Sequence, residues 1–116
     1  RYLHTRSVYA FSQVGSPLYM SPETLEGKGH EMVSDIWSLG CVLYELAMLT
    51  SPFASRHLTM DKLFHKIVRA DYLPVDRTLY SQHLSNLVDH LLVPDPRSRP
   101  HIDVVRVFAH LVLDVS

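Results

Sequence analysis

The chain has 116 residues, of which 47% are hydrophobic and 20% charged, and its formal net charge at pH 7 is −1. This length fits one compact domain or a piece of a larger one. No stretch concentrates Lys and Arg, so no nucleic-acid partner is expected, because contacts with phosphates need a local excess of positive charge. No segment approaches the roughly 20 consecutive apolar residues that span a bilayer, so no membrane partner is expected either.

The cysteine and histidine content argues against two further classes of protein. The single cysteine, Cys41, lies inside an apolar run, which excludes a disulfide framework and indicates a buried structural thiol. Such a thiol fits a reducing, intracellular setting. The eight histidines are scattered, without the paired spacing of a zinc-binding helix and without companion cysteines. We therefore expect them at the surface and expect no metal site.

The first part of the chain, residues 1–13, has no sustained hydrophobic period and is rich in hydroxyl groups. This pattern is typical of an extended, mobile loop that is accessible to kinases. Gly15 then permits an unusual backbone angle, and Pro17 disfavours a helical conformation at Ser16.

A short helix is predicted over residues 21–27. Ser21 can cap its first turn, Pro22 suits its first helical position, and Glu23 adds a carboxylate near the helix N-terminus. Gly27 can end the helix, since glycine adopts the left-handed conformation without steric cost.

The longest predicted helix, from residue 34 to about Thr50, is apolar on every face of a helical projection. A helix of this kind requires burial on all sides, so we expect it to be the central element of the core. Ser34 can cap it, and Asp35 lies in its first turn, where the helix dipole favours a carboxylate. Pro52 prevents its continuation.

Three amphipathic helices are predicted in the rest of the chain, at about residues 59–70, 81–92 and 102–113. Thr59 and Ser81 can cap the first two, and three prolines make residues 93–100 irregular. Each helix has a single apolar stripe. The stripe residues are Met60, Leu63, Phe64 and Ile67 in the first helix, Leu84, Leu87, Val88, Leu91 and Leu92 in the second, and Val104, Val105, Phe108, Leu111 and Val112 in the third. No alternating strand pattern occurs, so the fold class is all-α, with about five helices around the central one.

Three separated motifs carry a family resemblance: GSPLYMSPE at residues 15–23, SDIWSLG at 34–40 and DPRSRP at 95–100. In this order they resemble the second half of a eukaryotic protein kinase domain, in which Ser-Pro-Glu stands for the Ala-Pro-Glu motif that closes the activation segment. The Met-Ser-Pro-Glu version, with the later Ser-Pro-Phe and Asp-Tyr-Leu-Pro, is similar to the NIMA-related serine/threonine kinases. The resemblance implies a partial kinase domain over residues 1–116, with an activation segment at 1–23, C-lobe helices at 24–116 and no N-lobe sheet.

The resemblance also implies roles for residues of the activation segment. Gly15, Ser16, Pro17 and Leu18 match the loop that contacts the protein substrate, and the Ser16 hydroxyl matches the group that bonds the catalytic Asp and Lys. Ser12 matches the position whose phosphorylation adds negative charge and orders the loop.

Three charged residues acquire supporting roles from the same resemblance. Glu23 and Arg99 match a buried ion pair that ties the activation segment to the loop before the last helix. Asp35 matches a carboxylate that bonds backbone amides of the catalytic loop. Without the resemblance, Glu23 and Arg99 read as ordinary surface charges.

The 116 residues contain no Gly-rich loop, no phosphate-binding Lys, no His-Arg-Asp motif and no Asp-Phe-Gly motif. We therefore expect the N-lobe and the catalytic half of the C-lobe to be absent, and no catalytic residue to lie within the chain. ATP and Mg are expected in the full-length parent and not in this piece. Its implied partners are protein substrates and regulatory proteins, and its implied location is cytoplasmic, with the cytoskeleton or nucleus as further sites.

Three interpretations remain open from the sequence. The first is a C-terminal piece of a NIMA-related kinase, inactive alone. The second is a non-catalytic, truncated kinase that acts as a protein-binding module through the helix at residues 60–70. The third is an unrelated helical adaptor, against which the order of the motifs argues. If the central helix lacks its usual neighbours, the isolated chain should be marginally stable or prone to aggregation.

Overall fold

The structure is a computed structural model that describes residues 17–115, and in the last helix it describes the side chains of residues 102–107 and His110 only. Within residues 17–115 there is no β-strand, and the all-α prediction is confirmed. Two short 3-10 turns accompany five α-helices. The turns are Pro17–Tyr19 and Pro96–Ser98, and the helices are α1 (Pro22–Leu25), α2 (Met32–Met48), α3 (Met60–Val68), α4 (Gln82–Leu91) and α5 (Ile102–Val115).

The predicted caps of α1, α3 and α4 are confirmed. Ser21, Thr59 and Ser81 have extended backbones, and each side-chain oxygen accepts a hydrogen bond from an amide in the first turn. The donors are the amides of Thr24, Lys62 and Leu84, at 3.3, 3.2 and 3.3 Å. These bonds satisfy amides that have no partner within the helix, which is why such short local signals locate helix starts well.

The prediction that Ser34 caps the central helix was wrong. Helix α2 begins at Met32, with Glu31 at the N-cap, so Ser34 lies within the first turn. Its hydroxyl accepts a hydrogen bond from the Glu31 amide at 3.2 Å and donates one to the Glu23 carboxylate at 2.7 Å. The Ser34 hydroxyl therefore donates to the carboxylate of Glu23, 11 positions away in the sequence. No local sequence pattern indicates that partner.

The core lies around the inner face of α2. Trp37 and Phe53 are both fully buried and stack with ring centroids 5.6 Å apart. On a neighbouring side, Ile36 packs with Leu87 of α4 and Val105 of α5. The chain therefore arranges α4, α5 and the loop after α2 around one surface of the central helix.

The opposite face of α2 is exposed, contrary to the expectation that this helix is buried on all sides. We call this face the α2 stripe; Leu46 and Leu49 on it are 71% and 88% exposed. It consists of Met32, Leu39, Val42, Leu46 and Leu49. Leu39, Val42, Leu46 and Leu49 recur at intervals of three and four, so they form one apolar line. Met32 lies seven residues before Leu39 on the same face, with Asp35 between them. The described residues leave each of these side chains between 38% and 88% exposed.

Two smaller corrections concern the amphipathic helices. Met60 of α3 and Val104 of α5, assigned to buried stripes, are 53% and 45% exposed. Each lies in the first turn of its helix. Leu63 and Ile67 of α3 are buried, as predicted.

Cys41 is buried in the core, as the sequence predicts, and burial raises the pKa of its thiol to about 12. The predicted surface positions of His83 and His90 on α4 are also observed. Among the described residues, no three His, Cys, Asp or Glu side chains gather as a metal-ligand set. In that same part of the chain, every helix is too short or too polar to cross a bilayer.

Candidate functional site

The residues assigned to substrate binding and modification fall in two groups. Ser12, Gly15 and Ser16 lie outside the described residues. Pro17 and Leu18 form the start of the first 3-10 turn, where both are half-buried. Leu18 packs against the main hydrophobic cluster, so this turn is joined directly to the core.

The turn Pro17–Tyr19 is held on α2 by two hydrogen bonds. The Ser38 hydroxyl donates to the Tyr19 carbonyl oxygen at 2.9 Å, and the Tyr19 hydroxyl donates to the Glu45 carboxylate. The hydrogen bond to Glu45, together with burial, raises the pKa of Tyr19. Sequence reasoning missed these roles, although Ser38 and Glu45 stand out as polar residues in the apolar run. A polar side chain in such a run requires a hydrogen-bond partner, and that was the available signal.

Glu23 and Arg99 form a bidentate ion pair. The Arg99 Nη1 atom lies 2.7 Å from Glu23 Oε2, and Nη2 lies 2.7 Å from Oε1. The Arg99 side chain is fully buried and that of Glu23 is 11% exposed. The two residues are 76 positions apart in the sequence, so the pair closes a large loop of the chain. Parallel N–H···O bonds of this kind are strong and directional.

The remaining N–H groups of Arg99 bind backbone carbonyls. Its Nε donates to Val93 at 2.8 Å, Nη1 donates to Val33 at 2.8 Å, and Nη2 donates to Pro94 at 3.2 Å. All five guanidinium protons therefore have acceptors, as a buried cation requires. The guanidinium carbon also lies 5.2 Å from the centre of the Trp37 ring, which adds a cation–π contact.

The Glu23 carboxylate has a third donor in Ser34. Burial by itself raises the pKa of Glu23, but the hydrogen bonds from Arg99 and Ser34 and the Arg99 charge outweigh it and lower the pKa to about 2. The group is therefore ionised at neutral pH. We call Glu23, Ser34 and Arg99 the anchor network, because it joins α1, α2 and the loop that precedes α5.

Asp35 lies at the exposed end of α2, and its side chain is 71% exposed. His30 Nε2 lies 2.8 Å from its Oδ1 atom. No catalytic-loop amides are available to it among residues 17–115, so its assigned role stays a prediction. The carboxylate points away from the core, where a neighbouring segment could reach it.

The similarities to known proteins agree with this arrangement. A family model described as "Protein kinase domain" matches residues 2–111. The chain therefore belongs to the protein kinase domain family. Among solved structures, the kinase region of twitchin from C. elegans is similar, with a TM-score of 0.66 and 26% identity over 76% of this chain and 16% of that chain.

Similarity to curated proteins indicates which group of protein kinases the chain resembles. The chain is 40% identical over 110 residues to the probable serine/threonine-protein kinase nek2 of Dictyostelium discoideum, which covers 95% of this chain and 26% of the relative. It is 42% identical over 104 residues to serine/threonine-protein kinase Nek8 of Danio rerio, covering 89% of this chain and 14% of the relative. The resemblance to NIMA-related kinases is confirmed. The chain spans about a quarter or less of the length of these relatives.

Proposed function

We propose that this chain is the C-terminal helical part of a serine/threonine protein kinase domain. Its parent transfers the γ-phosphate of ATP to Ser or Thr hydroxyls of protein substrates. The observation that carries the proposal is the anchor network, which unites three motifs far apart in the sequence in one buried cluster. An unrelated helical protein has no reason to bury one Arg between these three segments.

Within this proposal, the chain supplies the substrate-facing loop and the scaffold beneath it. The turn at Pro17 and Leu18 is fixed on α2, and we assign contact with a substrate to Gly15, Ser16, Pro17 and Leu18. Phosphorylation of Ser12 adds about −1.5 to −2 charges to the same segment. Asp35 reaches the catalytic loop of the parent.

The groups that hold Mg–ATP belong to other parts of the parent. The Lys and Asp motifs that bind triphosphate and metal in kinases do not occur in these 116 residues. The residues present therefore do not fit a nucleotide, and we derive no catalytic step within this chain. Purified alone, the 116-residue polypeptide is expected to transfer no phosphate. We further place the parent inside the cell, in the cytoplasm, with the cytoskeleton or nucleus as further locations.

A chimeric kinase tests this function. Residues 2–111 replace the matching segment of the Dictyostelium nek2 kinase, and transfer of labelled phosphate from Mg–ATP to a Ser/Thr-containing protein is measured. The expected result is activity in the chimera and none in the 116-residue chain.

Two outcomes would count against the proposal. ATP-dependent phosphorylation by the purified 116-residue chain would show that it carries its own catalytic groups. A folded chimera without activity would favour the second interpretation, a non-catalytic protein-binding module. Phosphoamino-acid analysis of the product would separate Ser/Thr transfer from transfer to Tyr.

A further inference from the structure

The loop between α2 and α3 presents a serine at the surface. Residues 54–57 are exposed, whereas Phe53 before them is fully buried and Leu58 after them packs on the main hydrophobic cluster. His57 has a positive φ of 55°, which marks a turn within the loop. Among the described residues, the Ser55 side chain makes no hydrogen bond. Its hydroxyl is therefore open to modification, in a loop whose two ends are fixed on the core.

Ser55 lines a shallow groove of about 350 Å³ together with cationic side chains of α3. These are Lys62, Lys66 and, at the helix C-cap, Arg69. They recur at intervals of four and three residues, so they lie on one face of the helix. Within residues 17–115, none of the three side chains makes a hydrogen bond or an ion pair. We call Lys62, Lys66 and Arg69 the α3 cation cluster.

The charges that line this groove do not balance. Asp71 contributes a carboxylate to the lining, whereas His65 has a partner of its own in Asp61, at 3.6 Å. Three permanent cations and one carboxylate leave two positive charges in excess. A serine phosphate carries about −1.5 to −2 charges at pH 7 and three acceptor oxygens. One such group would therefore offset the excess and give the cations acceptors for charge-assisted hydrogen bonds.

The other exposed serines in the described part of the chain lack this combination of features. The Ser81 side chain caps α4, where it accepts a hydrogen bond from the Leu84 amide at 3.3 Å. The Ser98 hydroxyl donates to the Asp95 carboxylate at 3.4 Å. A phosphate on Ser98 would stand beside that carboxylate, which repels it. Ser55 instead has an unused hydroxyl beside cations that lack counter-charges.

We propose that Ser55 is a phosphorylation site and that its phosphate is bound by the α3 cation cluster of the same chain. The modifying enzyme is a separate serine/threonine kinase with Mg–ATP as the phosphate donor. Transfer forms a bond between Ser55 Oγ and the γ-phosphorus of ATP. It breaks the bond from that phosphorus to the bridging oxygen, which leaves with ADP, and the hydroxyl proton passes to a base of the modifying kinase.

Binding of the phosphate would hold the exposed loop against α3. It would tie the middle of residues 54–57 to the helix, between the two ends that are already packed on the core. It would also bring the net charge of the groove from about +2 to near zero. Phosphorylation of Ser55 is thus a local switch of charge and order. The chain acts here as a substrate, so this inference can fail while the proposed kinase function stands.

The first experiment asks whether Ser55 is modified. The 116-residue chain is expressed in eukaryotic cells, and tandem mass spectrometry locates phosphate on the purified protein. We expect phosphate at Ser55 and its loss in the Ser55→Ala variant. Absence of phosphate at Ser55 would overturn the assignment of the modification site.

The second experiment asks where the phosphate binds. Phosphoserine is incorporated genetically at position 55 of the 116-residue chain, and ³¹P NMR measures the second pKa of its phosphate. In an isolated phosphopeptide of residues 52–58 this pKa should be about 6. Nearby cations favour the dianion, so in the folded chain the pKa should be lower by about 0.5 or more. Salt at about 1 M, where the screening length is about 3 Å, should reduce the difference.

Paired variants of the phosphorylated chain test the contribution of the cations. Lys62→Gln with Arg69→Gln should return the pKa most of the way to the peptide value. The control pair, Arg77→Gln with Arg97→Gln, removes the same charge at exposed positions outside the groove and should leave the pKa low. Circular dichroism verifies that each variant keeps its helix content.

Three further results would overturn binding by the α3 cation cluster. One is a phosphate pKa equal to that of the peptide, and another is an equal change of that pKa in the two paired variants. The third concerns free phosphate. If inorganic phosphate at about 1 mM shifts the backbone NMR signals of the α3 cation cluster in the unmodified chain as the Ser55 phosphate does, the groove is a site for a free anion that needs no modification.

Discussion

The guanidinium of Arg99 is fully buried, and its burial is tolerable because every N–H group has an acceptor. The same pairing satisfies Glu23, which also accepts a hydrogen bond from Ser34. Removal of one partner leaves the other charge buried without compensation, which costs far more than the intact pair contributes. The anchor network is therefore a point at which a single substitution has a large effect.

Glu23→Gln should lower the free energy of unfolding by about 3–5 kcal/mol, because the amide keeps the shape but leaves the Arg99 charge unpaired. Urea unfolding monitored by circular dichroism measures the loss. The matched control is Asp103→Asn, which disrupts an exposed ion pair with Arg106 at 2.6 Å. It should cost less than about 1 kcal/mol, since water solvates both exposed charges. Equal losses in the two variants would contradict the buried pairing.

The low pKa of Glu23 predicts a dependence of stability on pH. Its value is about 2 in the folded chain against an ordinary 4.5, so between these values the unfolded chain binds more protons. The free energy of unfolding should therefore have its full contribution from Glu23 above about pH 4.5 and lose it as the pH falls toward about 2.

Urea midpoints measured from pH 6 downward check this dependence, with Glu23→Gln as the comparison. The variant lacks the titrating carboxyl group, so its stability should fall less steeply in that pH window. Parallel pH profiles for the two chains would show that other carboxylates dominate the acid response.

At the scale of helices, the backbone of α2 at Gly40 packs directly against Leu91 of α4 and its C-cap Leu92. A Cβ atom placed on Gly40 would lie 2.8 Å from Leu91 Cβ and 2.9 Å from Leu92 Cδ2. Contacts this short force either a backbone shift or a change of rotamer. Glycine is needed here for the approach of a neighbouring helix, not for an unusual backbone angle.

Gly40→Ala should therefore lower the free energy of unfolding by about 1–3 kcal/mol. The sign of this change in free energy distinguishes an obstructed from an open position, because Gly→Ala in an unobstructed helix interior usually stabilises by about 0.5–1 kcal/mol. Chemical unfolding of Gly40→Ala, Leu92→Val and the double variant gives the coupling between the two positions. We expect the double variant to lose less than the sum of the single losses. A stabilising Gly40→Ala would disprove the close approach.

The local features of these helices could be predicted from the sequence, whereas their long-range partners could not. Ser21, Thr59 and Ser81 cap helices because each side chain satisfies an amide a few residues away, and such caps can be predicted from short sequence patterns. Ser34 also accepts a local hydrogen bond, from the Glu31 amide, but its hydroxyl proton goes to Glu23, and only the tertiary fold supplies that partner. For Ser38 and Glu45, likewise, the sequence shows a need for partners without identifying Tyr19.

At the scale of the whole molecule, the α2 stripe is the feature that the kinase proposal explains best. An apolar line on the central helix is costly to expose to water and typical of a contact surface. We expect the catalytic half of the C-lobe of the proposed parent to cover this line and Asp35, which lies between Met32 and Leu39. The isolated chain should then associate through it, and a monomeric sample with a cooperative thermal transition would count against that expectation.

Leu46→Gln separates this explanation from ordinary core packing. Leu46 is 71% exposed, so in the 116-residue chain the substitution should raise the monomer fraction in sedimentation velocity and change the free energy of unfolding by less than about 0.5 kcal/mol. Leu87→Gln is the matched control on α4, where the side chain is 3% exposed. It should cost about 2–5 kcal/mol through lost packing and a buried amide.

In the chimeric kinase, unlike in the isolated chain, Leu46→Gln is expected to lower stability. If the α2 stripe packs against the catalytic half of the domain there, Leu46→Gln should lower the thermal midpoint of the chimera while leaving that of the isolated chain nearly unchanged. A variant that is neutral in both proteins would mean that the stripe remains exposed in the assembled domain. A variant that destabilises the isolated chain as much as Leu87→Gln would mean that the 116 residues already cover the stripe themselves.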